Sequence, residues 1–153
     1  MLGSLARKLR AFGFDTLYSR GMDDEEMIRL ARSARRVLVT ADRGLAAASR
    51  RGRVPALLVE GGTDSERIGS MVAGARAEGV ELRPGRPLCS LCNGPLLPVA
   101  RESAATRVPP GVAKRHRQFM ECVACGKMYW KGGHWKKLRT LRRRFAPETR
   151  KQG

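Results

Sequence analysis

Two Cys-x-x-Cys pairs, Cys89-Ser90-Leu91-Cys92 and Cys122-Val123-Ala124-Cys125, constrain this chain more than any other feature. A two-residue gap folds two thiolates onto one metal ion. Asn93-Gly94 and Gly126 follow the pairs, and these residues tolerate the tight turn that such a knuckle needs. Together the pairs complete a tetrahedral four-sulfur set, the arrangement of structural zinc, with no position left open for catalysis. A redox dithiol is the competing reading, and two separate pairs argue against it. His116 and His134 are further candidate ligands, although neither has a partner at tight spacing. The 29 residues between the pairs exceed the common ribbon spacing, so a helix or an extended hairpin has to fill the gap. The expected module is a zinc ribbon whose metal holds the fold, because this half has few other core residues.

Redox context agrees with that reading. No apolar run approaches the roughly 18 residues that span a bilayer. Arg7, Lys8 and Arg10 interrupt any secretory apolar region at the start. The expected location is cytoplasmic, with no membrane partner, and the cytosol keeps thiols reduced and available for metal. With 42% hydrophobic residues among 153, the chain can bury a core.

Charge divides the chain. Residues 1–83 carry 15 Lys/Arg against 11 Asp/Glu, a net of +4, whereas residues 84–153 carry 16 against 3, a net of +13. Four thiolates on one divalent ion leave the second half at +11. Such a local excess is either a solvated surface or a grip on a polyanion, where each cation near a phosphate releases counterions. Aromatic residues among the charges favour nucleic acid. The candidate contacts are Lys131, His134, Trp135, Lys136, Lys137, Arg139, Arg142 and Arg143. Tyr129, Trp130 and Trp135 read equally as base-stacking platforms or as packing against the knuckles.

Residues 1–83 alternate helical and extended patterns. Leu2, Leu5, Ala6, Leu9 and Phe12 keep helical spacing up to a stop at Gly13, and Asp15–Ser19 predicts a strand. Met27, Leu30, Ala31 and Ala34 predict a second helix, Val37–Thr40 a buried strand, and Leu45–Ser49 a brief helix. Ala56–Val59 is the next strand, Ile68–Ala75 lies on a helix, and Val80–Leu82 is a last strand. The pattern is that of an α/β domain, a parallel sheet covered by helices. It opens on a helix, so the expectation is that the sheet's first strand is missing from the chain. Arg83-Pro84-Gly85-Arg86-Pro87 reads as the linker, giving domains at 1–83 and 84–153. In the second domain a helix is expected near Val112–Met120, and a basic helix from Trp135 to Phe145 carries Trp135, Leu138 and Leu141 on one side.

Asp42 directly follows the Val37–Thr40 strand, and Asp24 follows the strand expected to end near Ser19. Ligands of open parallel sheets collect beyond the carboxyl ends of the strands, where carboxylates can hold a hard cation. Each acid also has a plainer reading: Asp24 as a helix cap, Asp42 as a partner of Arg43 or the opening of the next helix.

The stretches Met1–Arg10 and Gly13–Thr16, then Asp23–Glu26, Val37–Leu45, the cysteine pairs and Tyr129–Trp135, resemble the mut-seven C-terminal RNase family over roughly residues 1–138. The resemblance implies a PIN-like nuclease domain followed by a zinc ribbon. It also implies metal-dependent hydrolysis of RNA, single-stranded or ribosomal, by Asp24, Asp42 and Glu25 with Mg²⁺ or Mn²⁺. The family's first acid lies just before the position that Met1 matches. The alternative is a non-catalytic RNA- or ribosome-binding protein on a degenerate nuclease scaffold.

Overall fold

The computed structural model describes residues 2–145. Two compact units share the chain. The first is built on Tyr18–Arg83, with the segment up to Leu5 and the described residues from Arg144 on. The second joins Ala6–Leu17 to Pro84–Arg143. Helix α1 (Gly3–Phe12) thus passes from one unit to the other, and residues 6–17 fold with the cysteine-bearing half.

In the first unit, α2 (Asp24–Ser33) leads into β1 (Leu38–Thr40), α3 (Arg43–Arg51) into β2 (Ala56–Leu58), and α4 (Asp64–Ala77) follows. Strands β1 and β2 pair in parallel, Leu38 against Ala56 and Thr40 against Leu58, with α3 as the crossover packed on both. Ala56 and Leu57 are fully buried beneath Leu45, Ala46, Ile68, Met71 and Ala75 of the covering helices, which is why short apolar runs suffice as strands. Local chemistry starts each helix. Asp23 and Glu26 form a reciprocal capping box on α2, Asp42 caps α3 by accepting the Leu45 N–H at 2.9 Å, and Thr63 with Glu66 boxes α4.

The sheet is smaller than the periodicity suggests. Neither Asp15–Ser19 nor Val80–Leu82 is a strand. The Thr16 N–H donates to Asn93 Oδ1 at 3.1 Å and its carbonyl accepts from Arg10 Nε at 2.8 Å, so side chains satisfy this backbone in place of a ladder. Val80 instead closes the end of α4, its N–H donating to the Ala75 carbonyl.

The second unit is a ribbon of three antiparallel strands, β3 (Leu96–Val99), β4 (Phe119–Cys122) and β5 (Met128–Trp130), in the order β3-β4-β5. Two short helices, α5 (Arg101–Ala105) and α6 (Pro110–Arg115), fill the long gap between the cysteine pairs. The helix expected near Val112–Met120 therefore ends early. His116 is already extended (φ −116°), and Phe119 enters β4. Phe119, Ala104 and Val108 are the buried centre, with Val99, Val112 and Met128 packed around them. Helix α7 (Gly133–Arg142) closes the unit with Trp135, Leu138 and Leu141 half-buried on one side.

Candidate metal centre

The two cysteine pairs fold into matching knuckles. In the first, Cys89 N–H donates to the Gly94 carbonyl at 2.8 Å and Asn93 N–H to the Cys89 carbonyl at 2.9 Å. In the second, Cys122 N–H donates to Lys127 and Gly126 N–H to Cys122, at 2.9 and 2.8 Å. Asn93 and Gly126 occupy the same place in the two turns, with φ of +69° and +71°. Glycine, and next best asparagine, adopts this left-handed region at low cost. An antiparallel bridge, Leu88 to Pro95, closes the first knuckle, and β4 and β5 flank the second.

All four Sγ atoms lie within 4.8 Å of one another. Cys89 and Cys125 approach to 3.7 Å and Cys92 and Cys122 to 3.4 Å. A sulfur tetrahedron with metal bonds of about 2.3 Å has edges of about 3.8 Å, so the spacing suits zinc. Cys89 and Cys122 are buried, and Cys92 and Cys125 are at the surface. Gly94 is required by this cradle: a Cβ there would stand 2.9 Å from Cys122 Sγ and 3.3 Å from Cys92 Sγ. The four cysteines can therefore hold a metal such as zinc, which would cross-link the knuckles.

Electrostatics agrees. Burial opposes ionisation of Cys89, but the Tyr129 hydroxyl and the N–H groups of Cys92 and Leu91 bring its thiol down to about 6. At Cys92 the Gly94 N–H pulls downward, yet the neighbouring Cys122 sulfur and burial push the thiol up to about 12. One thiolate thus suppresses the next, and several together need a cation. Tyr129 lies with its hydroxyl 3.0 Å from Cys89 Sγ and 3.2 Å from Ser90 Oγ, and burial with the adjacent sulfur raises its pKa to about 12. Its phenolic proton stays available to the sulfur, an outer contact of the kind that orients ligands. The Lys127 ammonium sits 5.7 Å from the Tyr129 ring.

A second set of contacts comes from the start of the chain. Arg10, buried within this unit, donates from one nitrogen to the carbonyls of Ser90 and Leu91 at 3.2 and 3.0 Å, both inside the first chelate loop. Asn93 Nδ2 donates to Asp15 at 2.6 Å, and Leu88 N–H donates to the Arg10 carbonyl. Gly13, at φ +97°, touches the linker so closely that a Cβ would fall 2.3 Å from the Gly85 carbonyl oxygen. Arg107 grips Glu121 with two bonds of 2.8 and 2.6 Å, tying the gap-filling segment to β4, and this hydrogen-bonded guanidinium holds the Glu121 carboxyl below its ordinary range. Sequence patterning did not single out Arg10, because on a helix it reads as an ordinary surface cation.

The candidate acids lie in the first unit. Asp42 is exposed, two residues past β1, where the Thr40 hydroxyl accepts its N–H at 3.0 Å. Asp24 and Glu25 are exposed in the first turn of α2. Among the described residues the four cysteines are the metal-sized group of three or more His, Cys, Asp or Glu, and Asp24, Glu25 and Asp42 do not form one. The rule that picked Asp42 also fits Glu60, which stands at the matching position beyond β2 and pairs with Arg43 at 2.6 Å. Of the basic candidates, Lys131, Lys136, Lys137, Arg139 and Arg143 are exposed, and Arg142 is half-buried, donating to the Gly85 carbonyl at 3.0 Å. Trp135 is half-buried, and the side chain of His134 lies outside the described residues.

The chain combines a small α/β unit holding a parallel strand pair with a unit that carries four cysteines able to hold a metal and a basic closing helix. The chain belongs to the Mut7-C RNAse domain family, whose model matches residues 1–142 and so covers both units. The family makes RNA the expected substrate or partner. No curated protein and no solved structure matches the chain. Among the described residues no helix is long and apolar enough to cross a membrane.

Proposed function

We propose that the chain is a metal-dependent ribonuclease of PIN-like architecture, with 1–83 as nuclease domain and 84–153 as a basic zinc-ribbon module, acting in the cytoplasm. The observation that carries this reading is Asp42, exposed beyond the carboxyl end of a parallel strand in a chain of an RNAse family. Helix α2 packs on β1 and ends just before it, which supports taking its acidic start, Asp24 and Glu25, as facing the same edge. A Mg²⁺ or Mn²⁺ ion held there would supply an activated water and offset charge on the phosphodiester. Asp42 and Asp24 would bind that ion with Glu25 in support. The role of Asp42 as a cap occupies one lone pair of Oδ1 and leaves Oδ2 for a ligand.

The ribbon would hold single-stranded or ribosomal RNA by charge. Lys131, Lys136, Lys137, Arg139 and Arg143 present cations to solvent, and Trp135 or the half-exposed Trp130 offers a stacking face; Arg142 and His134 are proposed as further contacts.

Asp42→Asn separates catalysis from capping, because asparagine caps a helix as well as aspartate. Expected is Mn²⁺-dependent cleavage of single-stranded RNA by the parent chain, and loss of at least about 100-fold in the variant with an unchanged melting temperature. Equal cleavage by both would overturn the assignment. The second reading, RNA binding without cleavage, draws on the four cysteines being the metal-sized group among the described residues, with Asp24, Glu25 and Asp42 not forming one. RNA affinity untouched by Asp24→Ala and Asp42→Asn, with no cleavage in any metal, would establish it.

A further inference from the structure

The edge of the parallel pair opposite Asp42 carries a different chemistry. An open cleft of about 270 Å³ there is lined by Arg32, Arg35, Arg36 and Arg53 together with an apolar floor contributed by Ala31, Val37, Val54 and Pro55, and none of its lining residues is acidic. Topology brings the arginines together. Helices α2 and α3 each end just before a strand, β1 and β2 are parallel, and both helix ends therefore meet at the strands' amino-terminal edge.

Both helices also stop in the same way. Past α2, Arg35 N–H donates to Arg32 and Arg36 N–H to Ala31. Past α3, Arg53 N–H donates to Arg50 and Val54 N–H to Ser49. This termination needs a left-handed residue, ordinarily glycine. Arginine fills it twice, Arg35 at φ +51° and Arg53 at φ +60°. Complementing the helix dipole does not explain this choice. Arg32 in the last turn of α2, and Arg50 and Arg51 in the last turn of α3, already do so without backbone strain. The two C-termini together contribute about one negative charge against the three guanidiniums of Arg32, Arg35 and Arg53. Arg32 is fixed by its bond to the Gly52 carbonyl at 2.9 Å, whereas Arg35 and Arg53 have no carboxylate partner among the described residues.

We propose that this cleft binds a phosphate group, with Arg35 and Arg53 as its principal donors. Guanidinium forks match the oxygens of a phosphate, and the apolar floor accepts the sugar or base beside it. The phosphate belongs either to an RNA strand or to a small molecule such as inorganic phosphate or a 5′-mononucleotide. Nothing in this site draws on the acids at the other edge, so it stands or falls apart from the nuclease reading.

The test uses the full chain and the double variant Arg35→Gly/Arg53→Gly, with Arg35→Asn/Arg53→Asn as a second pair. Both replacements suit the left-handed backbone, so the fold is retained while the charges go. Titration of inorganic phosphate and a 5′-mononucleotide is followed by amide NMR shifts at Arg36, Val37 and Val54. Affinity for a labelled single-stranded RNA is measured against salt. If the source is a strand, the slope of log affinity against log salt shrinks by about 1.4 in the variants, two phosphate contacts at about 0.7 each. If the source is a small phosphate, the shifts at these amides vanish in the variants while the RNA slope stays the same. Folded variants that match the parent in both measurements would overturn the site.

Discussion

The two units reach stability by opposite routes. The first excludes water from a continuous apolar set, with Ala56 and Leu57 at 0% exposure and Ile68 and Met71 at 0 and 2%. The second buries fewer large side chains, Leu9 and Phe12 from the start of the chain and Phe119 with Ala104 and Val108 in the cysteine-bearing part. Its four sulfurs, drawn within 4.8 Å, stand where more hydrophobic residues would otherwise be needed. Small modules with thin cores recruit metals for this reason. The difference also sorts what each unit can offer a ligand. The apolar unit is free to place charge at both ends of its strands, acids at one edge and arginines at the other. The second unit gathers its four cysteines into one cluster and leaves its cations at the surface.

The largest effect should come from cutting the sulfur set. Cys122→Ser removes a buried ligand, and structural zinc supplies apparent binding energies of about 10–16 kcal/mol. Hydrogen exchange should show protection lost across Phe119–Trp130 and across residues 6–17, with β1 and β2 keeping theirs. The mirror variant, Leu57→Ala, should lower the stability of the first unit by about 2–5 kcal/mol and leave metal content at parent level. Loss of protection in both units from either change would erase the distinction between them.

A smaller effect should come from Arg10. Its bonds to Ser90 and Leu91 support the first chelate loop from behind, as outer contacts do in metal sites. Arg10→Ala is expected to weaken metal affinity about 10- to 100-fold, read by competition with a chromophoric chelator. Arg10→Lys should not restore it, because one ammonium cannot reproduce a fork to three carbonyls. Parent affinity in Arg10→Ala would mean that residues 6–17 are passengers on the ribbon.

What could be read in advance follows the range of the forces involved. The knuckles were legible because a chelate of two cysteines is a local object, decided within four residues. Helices α2, α3 and α4 and strands β1 and β2 were legible because burial imprints its period on Leu38–Thr40 and Ala56–Leu58 as directly as on Ile68, Met71 and Ala75. Asp15–Ser19 misled because its backbone partners, Asn93 and Arg10, are side chains, one of them 77 residues away. Such a contact leaves no period. The arginine cleft was equally invisible. A left-handed helix stop is normally announced by glycine, and arginine in that place gives no sign of its conformation. Asp42 is legible both as the residue beyond a strand and as the opening of the next helix, and it does cap α3. Spacing between acids from separate elements, which would decide any catalytic set, is something one-dimensional pattern does not encode.

The smallest effect separates the units by pH. Glu66 accepts N–H bonds from Gly62 and Thr63 at 2.8 and 2.9 Å in the capping box of α4. The backbone and hydroxyl of Thr63, then the Gly62 N–H, hold its carboxyl below the usual 4.5. A carboxyl depressed by folding adds stability above its unfolded value, and that stability is lost as pH falls through the folded one. Glu66→Gln removes the titration but keeps an acceptor. Urea midpoints of parent and variant should therefore differ slightly at neutral pH and converge below about pH 4.5. The group is fully exposed, so solvent screening keeps the difference small. The change should be confined to the transition of the first unit, since α4 packs on β2 and has no part in the sulfur set. A variant that alters metal release on acidification would show that the helix cap and the ribbon are energetically joined. The contrast between an apolar unit and one gathered around four sulfurs would then have to yield to a single cooperative fold.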